Sequence, residues 1–264
     1  MLVSFVSAKG APGVTTAVPP HGGGWSTDVV VADFDPAGGD MALLLRGVGG
    51  GPVEPERGLL SMAAAARRGA LSQTEVHEHV QRLEGGLEIV AGVSRPEQIT
   101  GVGPVWPVLA TALREMPSDV LADCGRVVPG TPVMPILAAS NAIVFLVQPT
   151  IESYAHLRER LRWLVEPLRM GQVGAVPVGI VLVTSDSDAN VGRDLDRLLQ
   201  SERLQVSVLG RIAHDPKAAD TVSGRTHRRI DRSLLLRSAR EVAGSIRALA
   251  GARPGIAPPA PRGG

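Results

Sequence analysis

The chain has 264 residues, in which 27 Lys and Arg are balanced by 26 Asp and Glu for a net charge of +1. That balance excludes a global field for holding nucleic acid or anionic lipid, and the single cysteine, Cys124, excludes an internal disulfide framework or a multi-cysteine metal centre. With 44% hydrophobic but only 3% aromatic residues, the core has to be built from Val, Leu, Ile and Ala, which suits a buried parallel sheet better than a sandwich.

In chain order, the first element is the strand-like run LVSFVSA (2–8). It leads into SAKGAPGVTTA (7–17), which has the outline of a phosphate-binding loop with Gly10 and Gly13 followed by Thr15 and Thr16. Val14 stands where such a loop carries its lysine, and Pro12 removes one backbone donor. The next stretch, AVPPHGGGWST (17–27), is incompatible with a regular helix, because proline costs about 3 kcal/mol and glycine about 1 kcal/mol relative to alanine. A phosphate-binding loop ordinarily needs a helix there, with its positive end at the anion. The stretch keeps the length of a helix and connection but not the chemistry. It reads as a local replacement, by mutation or by a compensated frame slip, and resequencing the source DNA separates the two.

Further strands are expected at 28–34, 87–92, 119–124, 142–148, 179–185 and 206–212, and helices at 58–69, 74–83, 107–116, 153–168, 189–201 and 233–251. Seven apolar strands alternating with amphipathic helices predict one doubly wound, mostly parallel α/β domain over 1–251. The Pro, Gly and Ala-rich end, 252–264, predicts a disordered tail with no apolar face for a membrane. The N-terminus has no basic segment ahead of a long apolar one, and no apolar stretch reaches the roughly 18 residues that span a bilayer. The expected setting is cytoplasmic, without a membrane anchor.

Two strands end in acids: the second runs into ADFDPAGGD and the fourth into DVLADCG. In open parallel sheets ligands bind at the C-terminal strand edge, where these carboxylates would suit Mg²⁺ and water positioning. FVSAKGAPGVTT, VVVADFDPAGGD, VLADCGR, IVFLVQPTIESYAHL and LGRIAHDPKAADTVSG, taken in that order, resemble the motifs of the ParA and MinD family of deviant Walker-type P-loop ATPases. The likeness spans roughly residues 1–250.

The resemblance implies an ATP- and Mg²⁺-binding site made by Lys9, Gly10, Ala11, Gly13, Val14, Thr15, Thr16 and Asp215. In it Lys9 reaches the phosphates across a nucleotide-sandwich homodimer, Thr15 ligates Mg²⁺ and Thr16 touches phosphate. Asp35 orients the attacking water, Asp123 acts on Mg²⁺ through a bound water, and Asp215 sits near the base. Asp33 and Asp40 match further acidic positions of the family less closely. The implied function is a nucleotide-dependent switch in chromosome partitioning or in positioning a cellular assembly, with a protein partner or cargo. The departures at Val14, Ala11 and 17–27 support an alternative, a non-hydrolysing adaptor, since losing a cation on transferring charge removes several kcal/mol of transition-state stabilisation.

Three other features have plainer readings. His77 and His79 lie two apart on a predicted helix and do not share a face, so they read as solvated residues rather than metal ligands. Cys124 reads as a buried structural residue, or as a reactive thiol if Arg126 lowers its pKa. The arginine run at 224–237 reads as a solvated face or a partner contact, with DNA phosphate binding as the other option.

Overall fold

The valine- and isoleucine-rich runs form one eight-stranded sheet. The computed structural model describes residues 1–10, 25, 28–184, 191–222 and 233–252. The strands are β1 (Leu2–Ser7), β2 (Val29–Asp33), β3 (Gln81–Arg82), β4 (Glu88–Val90), β5 (Asp119–Arg126), β6 (Ala142–Val147), β7 (Val178–Thr184) and β8 (Val206–Ala213), in the spatial order β3-β4-β2-β5-β1-β6-β7-β8. All neighbours are parallel except β3 and β4. The seven expected strands all form, and β3 is the addition.

The short antiparallel β3 also corrects a helix boundary. The helix expected over 74–83 stops at Glu78, because 81–82 turn back to pair with β4. Among the described residues the helices are α1 (Met41–Leu44), α2 (Leu59–Ala66), α3 (Gln73–Glu78), α4 (Ile99–Val102), α5 (Trp106–Arg114), α6 (Met134–Ala139), α7 (Ile151–Leu164), α8 (Val191–Glu202), α9 (Pro216–Val222) and α10 (Leu234–Gly251). The sequence marks several starts. Ser72 and Glu75 form a reciprocal capping box at α3, Thr150 accepts the Ser153 N–H at α7, and Ser233 accepts the Leu236 N–H at α10.

Alternate strand residues feed two cores. Leu2, Val6, Ala122 and Phe145 pack with α2, α5, α6, α7 and α8 on one face. Val3, Phe5, Leu121 and Val144 pack with Val242, Ala243 and Ile246 of α10 on the other. Both faces of the central strands are buried, which is why they carry continuous apolar runs rather than alternation. The few aromatics are placed at joints. Phe34, just past β2, meets Trp106 of α5 edge to face at 6.0 Å, and Trp25 is buried with its indole N–H on Asp119 Oδ2 (2.5 Å) and the Arg247 guanidinium over its ring.

Several expectations fall outside the described residues. They are Ala11, Gly13, Val14, Thr15 and Thr16 of the loop, the stretch 17–27 apart from Trp25, the first residues of the 189–201 helix, most of the 224–237 arginine run, and the tail from 253. Among the described residues no helix is long and apolar enough to cross a membrane.

Candidate functional site

β1 lies at the centre of the sheet, with β5 on one side and β6 on the other. The chain leaves β2 and β5 on the same side of β1 but crosses to β6 on the opposite side. The C-terminal ends beside this reversal are where a doubly wound sheet opens a crevice. Lys9 and Gly10, just past β1, are exposed there. Glu152, at the first turn of α7, is held below the usual carboxylate range by its backbone N–H bonding and by Thr150, with Lys9 contributing. The charge of Lys9 is therefore felt at the start of α7.

Two acids from neighbouring strands sit side by side. Asp33 and Asp123 are register partners between β2 and β5, and they are 1% and 0% exposed. Asp33 accepts the N–H groups of Asp35 and Met41, each at 3.3 Å, while Asp123 Oδ1 accepts the Gly125 N–H at 2.9 Å. Burial, reinforced by the charge of Asp123, pushes the Asp33 carboxyl well above the usual range. Glycines close the space around it: a Cβ on Gly39 would collide with the Asp33 carboxylate, and one on Gly92 would lie 2.8 Å from Asp33 Cγ.

Asp35 is the outer member of the group. It is half-buried, its Oδ1 accepts the Ala37 N–H at 2.8 Å, and burial raises its pKa despite that bond. Gly125, at φ +59°, packs its backbone against the Asp35 carboxylate. Asp33, Asp35 and Asp123 are thus gathered at one strand edge, with hard oxygen donors of the kind Mg²⁺ prefers. Among the described residues no group of three or more His, Cys, Asp or Glu is arranged to hold a metal ion without help. The fit is to Mg²⁺ shared between one or two carboxylates and phosphate oxygens, not to an all-protein cage.

No protein-family model matches the sequence, and no curated protein matches it. Solved structures do. The chain is similar to a ParA family ATPase from Chlorobium tepidum TLS, with a TM-score of 0.70 and 16% identity over 92% of this chain and 96% of that one. It is similar to the cell division ATPase MinD of Pyrococcus furiosus at TM-score 0.66 and 16% identity, covering 94% and 98% of the two chains. A third likeness is to the septum site-determining protein MinD of Pyrococcus horikoshii, solved with Mg-ADP, at TM-score 0.66 and 17% identity over 97% and 99%. The chain has the ParA/MinD fold.

Within this ParA/MinD fold, Lys9, Asp35 and Asp123 belong to the C-terminal ends of the adjacent strands β1, β2 and β5, and Asp33 is the register partner of Asp123. Asp40 is exposed at the start of α1 and makes no side-chain cap. Asp215 lies at the same sheet edge but past β8, three strands from β1, where its Oδ1 accepts the Ala218 N–H in the first turn of α9. Sequence reasoning missed the glycines that press on the acids. The visible signal was the pair of glycines in DPAGGD, which the strand ends alone did not explain.

The ParA/MinD fold also decides the weaker candidates. Cys124 is fully buried, and burial pushes its thiol far above the ordinary range, so Arg126 does not activate it and the reactive reading is set aside. His79 faces Ser61, with Nδ1 2.9 Å from Oγ, and burial together with Arg57 and Arg68 lowers its pKa against the pull of Glu78. It ties the end of α3 to the start of α2.

The buried acid gives a pH signature. Asp33 binds its proton more tightly in the folded chain than at its ordinary value of 3.8, so the native state holds more protons than the unfolded one above that pH. Its contribution to stability is complete below 3.8 and is lost as pH rises through the folded value. Urea unfolding from pH 4.5 to 8 should show wild-type stability falling relative to Asp33→Asn as pH rises. A difference that stays flat across the window would contradict the shift.

Proposed function

We propose that this protein is a nucleotide-dependent switch of the ParA and MinD kind, binding ATP with Mg²⁺ and pairing with a second copy over the nucleotide. The observation that carries the reading is that Lys9, Asp35 and Asp123 belong to the C-terminal ends of three adjacent strands, β1, β2 and β5, in a ParA/MinD fold. Similar folds include a MinD solved with Mg-ADP and a plasmid partition protein bound to AMPPNP.

In this reading Lys9 contacts the phosphates of the partner's nucleotide, and the backbone of the loop from Gly10 through Ala11, Gly13 and Val14 approaches the phosphates, with Thr16 touching them. Thr15 and, through water, Asp123 hold Mg²⁺, which when bound neutralises phosphate charge and orients it. Asp35, the accessible acid, orients a water for hydrolysis, and Asp215 borders the base. Closure and release of the dimer would position a chromosome, a plasmid or another assembly in the cytoplasm through a protein partner. Hydrolysis is expected to be weak, because Val14 leaves the transferring phosphate without its cis lysine. That same residue favours the second reading, a non-hydrolysing adaptor that keeps the fold and a protein-binding surface.

Calorimetric titration with Mg-ATP separates the two. The wild type is expected to bind in the micromolar range, and Lys9→Ala to bind about tenfold to a hundredfold more weakly, the effect of losing one charge-assisted phosphate contact. No heat from the wild type at high protein concentration would leave the adaptor.

A further inference from the structure

We infer that Arg126 is a phosphate-binding residue of this site, supplying from the end of β5 the positive charge that Val14 does not supply from the loop. The inference rests on the nucleotide reading above and adds a residue to it.

The first observation is the register. Phe5 pairs with Asp123, and a regular ladder would then set Gly125 opposite Ser7. Instead Ser7 pairs with Arg126, so β5 holds one more residue than β1 between these two points. This bulge coincides with Gly125 at φ +59° and is followed by the Val127 N–H donating to the Ser7 carbonyl at 3.0 Å. Bulges of this kind re-aim side chains next to functional sites. Here the bulge carries Arg126 level with the last residue of β1, two positions before Lys9.

The second observation is the state of the arginine. Although it ends a strand whose other seven residues are buried, Arg126 is exposed, and it has no hydrogen-bond or ion-pair partner among the described residues. A long side chain at a strand end, next to the glycine that packs on Asp35 yet unpaired in the described structure, is available to an anion. The third observation is its setting. At the ends of β1, β2, β5 and β6, the segments 8–10, 34–40, 126–130 and 148–152 contain only two basic residues, Lys9 and Arg126.

Even with Mg²⁺ bound, a nucleoside triphosphate brings net negative charges to an edge that already holds Asp35 and Asp123. One lysine from a partner copy does not balance them. A planar guanidinium can bridge two phosphate oxygens at once, which a valine in the loop cannot do. Arg126 would bind in the same subunit as the loop, whereas Lys9 acts across the dimer.

The test is Mg-ATP titration of the wild type, Arg126→Ala and Arg126→Lys at low and high salt, with thermal melting as the control for folding. Arg126 is exposed, so the melting temperatures should agree within a few degrees. Arg126→Ala is expected to lose at least tenfold in affinity, with a shallower salt dependence, and Arg126→Lys to recover much of the loss. A wild type that binds Mg-ATP and an Arg126→Ala protein that binds it equally well would overturn the inference while leaving the nucleotide reading intact. A wild type that does not bind Mg-ATP would overturn both.

Discussion

Gly125→Ala is expected to empty the candidate site of its geometry and to destabilise the fold by about 2–4 kcal/mol. Two causes add. At φ +59° an L side chain meets its own backbone, at about 1–2 kcal/mol for a single residue. The new methyl would also be driven into the Asp35 carboxylate, which the Ala37 N–H holds in place. Relief requires either displacing Asp35 or straightening the bulge in β5. Straightening would move Arg126 away from Ser7 and break the Gly125 bond to Asp123. Both routes damage the site, so Mg-ATP affinity measured by calorimetry should fall more than tenfold along with the urea midpoint. Wild-type affinity in a destabilised Gly125→Ala protein would show that Asp35 and the bulge do not shape the binding site.

Gly58→Ala should have the larger effect on stability alone, about 3 kcal/mol or more in the urea unfolding free energy. Gly58 leads into α2 and forms a parallel bridge with Ala91, just past β4, and the next N–H, from Leu59, donates to the Ala91 carbonyl at 2.8 Å. A Cβ at 58 would collide with that carbonyl and lie 2.8 Å from the Ala91 nitrogen. Backbone cannot swing aside as a flexible side chain does. The helix would have to lift off the sheet and withdraw Leu59 and Met62 from the core. A loss below about 1 kcal/mol would mean that this contact is looser than the geometry indicates. Nucleotide affinity, by contrast, should change less than stability once folding is complete, because Gly58 meets the end of β4, outside the β1, β5 and β2 ends that carry Lys9, Asp123 and Asp35.

Much of the architecture was legible in the sequence because burial on both faces leaves an unmistakable trace. VVVAD at β2 and AIVFLV at β6 are apolar at nearly every position, and only a strand inside a covered sheet needs that. The strand-end acids were legible for a related reason. Asp33 and Asp123 follow apolar runs directly, and the C-terminal strand edge is where an open parallel sheet binds ligands. β3 was not legible, since two polar residues carry no period and pair only because β4 lies beside them. The short α1, α4, α6 and α9 were missed because they span one or two turns, too few to show a helical repeat.

The amino-acid sequence by itself determined the fold class and the seven apolar strands, and it named the acids and lysine as candidates, because apolar runs and residue types are local properties. Tertiary structure alone decided how those residues act on one another. It set Asp33 against Asp123 and buried both, closed Gly39, Gly92 and Gly125 over the carboxylates, and brought Arg126 level with Ser7 through a bulge. Each depends on register between strands far apart in the chain, and register is set by packing across the sheet, which no single segment records.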